Sequence, residues 1–265
     1  MKILFFGDIV GKIGRRAISE VLPEYRKKYS PDLVIANGEN LAHGIGITER
    51  TVEEMFEAGI DILTSGNHIY KKKGYEEVFT QYGERIIRPA NYPEGVSGSG
   101  YTTIKVKGKR IVVINLMGRV FMQENFDDPF KKYDQIEKLL KIAKSDIVIV
   151  DFHGEATSEK NGFGWHVDGR ASAVFGTHTH VPTADLKILP QGTSYLTDIG
   201  MVGGRDTIIG VEREGPLTMF LTQLPVSFEK PEEGVVQVNA VLVSIDEKTG
   251  RAKTIKRVDQ EIEIN

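Results

Sequence analysis

The chain has 265 residues, 40% hydrophobic and 27% charged, with a formal net charge of −3 and no cysteine. That length supports one large α/β domain, or two small ones, with a substantial core. The lack of cysteine excludes disulfides, zinc–thiolate centres and thiol nucleophiles together, and the slight negative charge gives no bulk reason to bind nucleic acid polymers or anionic membranes.

The first apolar run, Ile3 to Phe6, is too short for a signal-peptide core and stops at Gly7-Asp8. No stretch reaches the roughly 20 apolar residues that a membrane span requires. A cytoplasmic enzyme without a membrane contact is the expectation. Gly11 to Lys28 places Ile13, Ala17, Ile18, Val21, Leu22 and Tyr25 at helical spacing. Leu33 to Ala36 reads as a buried strand. A helix follows over Thr48–Ala58, with Thr48 as N-cap and Gly59 as its stop. Ile60 to Leu63 is a third strand, so the first 70 residues form a βαβαβ pattern with a parallel sheet.

From Ile86 the pattern changes. Tyr101–Val106 and Arg110–Asn115 read as strands around a Lys107-Gly108-Lys109 turn. Arg119 to Pro129 reads as a loop or insertion, and Phe130 to Lys144 as a helix. Strands are expected at Ile147–Val150 and Ala171–Phe175. Glu214-Gly215-Pro216 opens a short helix with Pro216 near its first turn. Val235–Ile245 and Ala252–Val258 read as strands joined by Asp246 to Gly250. The expectation is a single domain over residues 1–265, with two sheets packed face to face and helices outside.

Five polar motifs stand where these apolar strands stop: Gly7-Asp8, Gly38-Glu39-Asn40, Gly66-Asn67-His68, Phe152-His153-Gly154 and Thr177-His178-Thr179-His180. Ligands of open α/β sheets collect at strand carboxyl ends. Oxygen and imidazole donors together suit two divalent metal ions, and two metals suit phosphate ester chemistry. Singly, each motif has a plainer reading: Asp8 as a helix N-cap, Glu39-Asn40 as a surface turn, Asn67-His68 as an Asx-turn, His153 as a core histidine. In an extended segment, His178 and His180 would face one side. Four of the six histidines fall in these motifs, each after an expected strand, and that joint placement favours a site.

The order Asp8, Glu39-Asn40, Gly66-Asn67-His68, His153, His178-Thr179-His180 resembles the calcineurin-like metallophosphoesterase superfamily. The chain departs from its usual pattern at Val10, where a histidine is usual, at Glu39, where aspartate is usual, and at Thr177, where glycine is usual. Those departures, with Asp151-Phe152-His153, Ala156 to Lys160, Asp168-Gly169-Arg170 and Gly176 to His180, are similar to the YmdB-like phosphodiesterases. Ile69-Tyr70-Lys71 and Gly154 differ from that branch beside the site without removing a ligand.

The resemblance implies an α/β sandwich of two packed mixed β-sheets flanked by helices, with the active site at strand C-terminal ends. It implies that Asp8, Glu39, Asn40 and His180 hold one metal and that Glu39, Asn67, His153 and His178 hold the other, Glu39 bridging. Physically, the Asn40 amide oxygen can fill the vacancy left by Val10. His68 is assigned as general acid. The expected activity is hydrolysis of phosphodiesters by a metal-bound hydroxide, with 2′,3′-cyclic nucleotides favoured as substrates. A phosphomonoesterase or nucleotidase on the same site stays open, as does a nucleotide- or RNA-binding regulatory module. Iron or manganese is favoured, with zinc, cobalt or magnesium open. A homo-oligomer and a contact with RNA or a regulatory protein are further expectations. His43, His166, Gly200–Gly204 before Arg205, and Lys71–Lys73 are weaker candidates, each with a surface or packing reading.

Overall fold

Alternation within Ile3-Leu4-Phe5-Phe6 decides the layering. In the computed structural model, which describes residues 1–265, Ile3 and Phe5 face one side of strand β1 (Lys2–Ile9) and Leu4 and Phe6 the other, all buried. Helix α1 (Gly11–Tyr29) crosses to β2 (Leu33–Asn37), and α2 (Glu49–Ala58) crosses to β3 (Ile62–Thr64). The two crossovers make β1, β2 and β3 parallel neighbours. Thr48 caps α2 through a reciprocal capping box with Thr51, and left-handed Gly59 ends it. The short helix α3 (Tyr75–Tyr82) packs beside α2.

The second sheet begins with the hairpin β4 (Tyr101–Val106) and β5 (Lys109–Met117). Helix α4 (Pro129–Leu140) starts on Asp128, whose carboxylate accepts from the Phe130 and Lys131 amides. Strand β6 (Ile147–His153), helix α5 (Thr157–His166) and strand β7 (Ala173–Thr177) follow. Next come β8 (Lys187–Ile188), β9 (Ser194–Leu196), β10 (Met201–Gly204), α6 (Glu214–Thr222), β11 (Gly234–Val238), β12 (Ala240–Ile245), β13 (Ala252–Arg257) and β14 (Gln260–Ile264).

β1, β2, β3 and β10 to β14 form an eight-stranded mixed sheet, and β4 to β9 a six-stranded one. Between them lies one core, with Ile3, Phe5, Ile35, Val241 and Val243 from the first sheet and Val113, Ile149 and Phe175 from the second. α1 to α3 cover the outer face of the first sheet, and Tyr133 of α4 and Phe163 of α5 pack on the second. The result is the expected sandwich of two packed mixed sheets flanked by helices.

Several elements differ from the sequence expectation. Val235–Ile245 is two strands: the chain breaks at Asn239, so β11 pairs with β10 and β14 while β12 pairs with β1 and β13. Asn239 bridges the break by accepting from the Met201 amide through its side chain (3.1 Å). α3, α5, β8 to β10 and β14 were not expected. α5 holds two glycines and buries only Lys160, Phe163 and Gly164, so it carries little helical stripe. No helix is long and apolar enough to cross a membrane.

Candidate metal centre

Asp8 lies next to the end of β1, Glu39 and Asn40 follow β2, and Asn67 and His68 follow β3. His153 ends β6, and His178 and His180 follow β7. The first sheet therefore supplies the carboxylates and amides, and the second supplies three imidazoles.

Seven of these side chains are linked by close approaches at one edge, and Asn67 lies on the turn between Gly66 and His68. Glu39 Oε1 lies 3.2 Å from His153 Nε2 and 3.4 Å from His68 Nδ1, and Glu39 Oε2 accepts from the His68 amide (3.0 Å). His178 Nδ1 faces His153 Nε2 at 3.1 Å. Glu39, His153 and His178 bring ligand atoms within 4.8 Å of one another. His180 donates Nδ1–H to the Ile209 carbonyl (2.8 Å), which leaves Nε2 toward Asp8 Oδ1 (3.7 Å) and Asn40 Nδ2 (3.3 Å). His178 Nε2 has Glu155 Oε2 at 3.3 Å, a carboxylate that holds the ring's outer nitrogen.

The residues fit cations. Asp8 Oδ1 and Asn67 Oδ1 are buried without a hydrogen-bond partner, a state that costs about 1–3 kcal/mol per group. A Cβ at Gly66 would fall 2.3 Å from both Glu39 Oε2 and His153 Nε2, so only glycine leaves this cradle open. The turn carrying Gly66 is fastened from both sheets, since Ser65 N–H donates to Asn115 Oδ1 (2.9 Å) and Asn37 donates to the Ser65 carbonyl (3.1 Å). Asn40 Oδ1 accepts from His68 Nδ1 (2.9 Å) while its Nδ2 faces Glu39 and His180. The carbonyl oxygen carries two lone pairs, so it can hold the His68 Nδ1–H and still offer one to a cation.

Electrostatics point the same way. Burial pushes the Asp8 carboxyl up to about 6, with the His180 and His153 rings opposing and Glu39 and Asp198 reinforcing. Burial also works against charge on Glu39, but the His153 and His68 rings outweigh it and hold that carboxyl well below its usual range. For His153, burial disfavours the imidazolium, yet Glu39, Asp8 and Asp151 raise the ring to about 9. His178 is pushed down to about 3 by burial and by His153. In the metal-free protein, then, the His153 proton neutralises buried carboxylate charge. A cation at this place takes over that role and displaces the proton.

Behind His153 stands a network not foreseen from the sequence. His153 Nδ1–H donates to Thr177 Oγ1 (2.9 Å), whose hydroxyl donates to Asp151 Oδ1 (2.6 Å). Asp151 Oδ2 accepts from Asn37 Nδ2 (3.0 Å) and from the Thr64 hydroxyl. The Thr177 departure from glycine thus has a use: its hydroxyl links the ring to a buried carboxylate. The motif Asp151-Phe152-His153 held a signal, since alternation places Asp151 and His153 on one face of β6.

One local expectation is corrected. His178 and His180 do not sit on an extended segment: both have left-handed backbone, with φ of 99° and 64°. The chain must bend sharply off β7 for the His180 ring and the His178 amide to reach Asp8 while the His178 ring faces His153, and such residues cost about 1–3 kcal/mol each. The weaker candidates lie outside the cluster. His43 is exposed on its loop, and His166 packs on Phe130 and pairs with Asp134 at 3.0 Å. Arg205 pairs with Asp206 and Glu261, and Gly203 and Gly204 belong to β10. Val10 fills the place of the usual histidine with carbon, against Gly203 and Gly210.

A family model described as YmdB-like protein matches residues 4–258. The chain belongs to the YmdB-like family. A Bacillus subtilis relative of this family member, a 2′,3′-cyclic-nucleotide 2′-phosphodiesterase, is 47% identical over 261 residues, covering 97% of this chain and 96% of the relative. Two solved structures superpose on the YmdB-like sandwich. A hypothetical protein from Thermus thermophilus has a TM-score of 0.89 at 43% identity, covering 98% of this chain and 99% of that one. A phosphatase from Mycoplasma pneumoniae has a TM-score of 0.91 at 35% identity, covering 100% and 94%.

Proposed function

We propose that this chain, acting as one domain, is a metal-dependent phosphoric diester hydrolase that cleaves 2′,3′-cyclic nucleotides. The observation that carries the reading is the convergence of Glu39 from one sheet with His153 and His178 from the other, beside the orphaned Asp8 Oδ1. The Bacillus subtilis relative supports the substrate class.

Asp8, Glu39, Asn40 and His180 hold one cation, and Glu39, Asn67, His153 and His178 the other. Such ions supply Lewis-acid charge at the phosphoryl oxygens and acidify the attacking water. The protein's own residues do the rest. Glu39 stands between the two donor sets, and Asp151 and Thr177 orient His153. His68, with its side chain 31% exposed, is the half-open ring beside Glu39. As the imidazolium it donates its Nε2 proton to the leaving alkoxide, while the Asn40 amide oxygen accepts from Nδ1–H (2.9 Å).

Iron or manganese is the proposed metal pair on grounds of family likeness. Zinc, cobalt and magnesium also accept oxygen and imidazole donors. The cysteine-free composition supports a cytoplasmic site of action. Assembly from identical subunits is supported by α6, which exposes Leu217, Phe220 and Leu221. A nucleotide substrate is central to the reading, and an RNA or regulatory-protein contact is secondary to it.

The test is a substrate panel on protein loaded with Mn²⁺ or Fe²⁺. Turnover is expected on 2′,3′-cyclic nucleotides and bis-aryl phosphates, with mononucleotides left intact. Preference for mononucleotides establishes the nucleotidase reading, and tight nucleotide binding without hydrolysis establishes the regulatory module.

A further inference from the structure

Lys160 is a buried amine that the chemistry above does not use. It is 1% exposed and meets Asp198, 0% exposed, at 2.8 Å. Its Nζ also donates to the Thr177 carbonyl (2.7 Å), the residue that precedes His178. Asp198 Oδ2 accepts in turn from the Thr179 amide (3.1 Å), between the two histidines, and Oδ1 accepts from the Gly200 amide (2.9 Å). The Asp198 amide donates to Thr183 Oγ1 (2.9 Å), so the carboxylate is itself fixed. Gly176 keeps the channel open: a Cβ there would lie 3.1 Å from Lys160 Cδ and 1.7 Å from the Thr197 carbonyl oxygen.

A buried charge pair is a weak source of stability, because desolvation of both ions offsets their attraction. A role beyond stability is therefore worth seeking, and the contacts name one. The pair grips the backbone on both sides of His178, within the left-handed stretch that turns His178 and His180 toward Asp8. We infer that Lys160 and Asp198 are positioning residues: they hold the His178-Thr179-His180 turn in its strained form and so set the cation affinity of the centre without touching a cation. The inference rests on the two-cation reading above. Outer partners that orient metal ligands typically account for 10- to 100-fold in affinity.

Calorimetric titration of Mn²⁺ into chelator-stripped protein, with circular dichroism to follow the fold, is the test. Wild type binding no Mn²⁺ defeats the two-cation reading itself. Given wild-type binding, Lys160→Met leaves Asp198 buried and unpaired, so it lowers both thermal stability and Mn²⁺ affinity. The double variant Lys160→Met with Asp198→Asn removes that unpaired charge and recovers stability. Positioning predicts that its Mn²⁺ affinity stays 10- to 100-fold below wild type. Affinity that returns with stability, or that never falls, overturns the inference.

Discussion

Glu39 touches both halves of the centre, with Oε1 toward His153 and Oε2 on the His68 amide. Glu39→Gln keeps the shape and removes the charge, so metal content, read by elemental analysis, and turnover should both fall to background. His68→Ala should keep the metal and lower turnover on a slow-leaving substrate by about two to four orders of magnitude, as expected for loss of a general acid. Gly66→Ala drives a methyl into Glu39 and His153. It should abolish Mn²⁺ binding in a titration while Gly74→Ala, away from the site, leaves it intact. The residues behind these predictions were readable because each stops an apolar strand. The contacts of Thr177 and Asn37 were not, because they run between strands of two sheets; only the alternation of Asp151 with His153 on β6 carried a signal of them.

At the scale of elements, strands buried on both faces and helices with a full apolar stripe were plain in the sequence. β1, α1, β2 and α2 follow from such patterns. α5 was hidden because tertiary contacts, not periodicity, hold it: its Glu159 accepts from the Arg119 and Val120 amides, and its Lys160 reaches Asp198. The break at Asn239 was hidden because a continuous alternation carries no mark of where a chain changes partners. The β6–β7 pair fixes His153 through Thr177, so Thr177→Val should weaken Mn²⁺ binding by about 10- to 100-fold with the fold retained. The α2 cap gives an independent prediction: Thr48→Ala should lower stability in urea by about 1 kcal/mol and leave kcat unchanged.

For the whole molecule, the titration of His153 sets a pH dependence. Its folded value, raised to about 9, lies above the unfolded 6.5, so its contribution is present below pH 6.5 and lost as pH rises through 9. Asp8, raised to about 6, acts with the same sign at lower pH, and the depressed Glu39 is ionised throughout the upper window. Chelator-stripped protein should therefore lose thermal stability between pH 6.5 and 9. Protein saturated with Mn²⁺ should not, because the ligands are then already deprotonated.

The donors divide by sheet: Asp8, Glu39, Asn40 and Asn67 from one, His153, His178 and His180 from the other. A cation bound to both sets rivets the two layers together across the mouth of their seam. Free metal concentration then becomes a mechanical variable of the sandwich, since whatever binds only the folded form raises its melting point by mass action. Starved of metal, the seam should gape first at that rim, and amide exchange at the ends of β6 and β7 should quicken there while the far ends of the same strands stay shut.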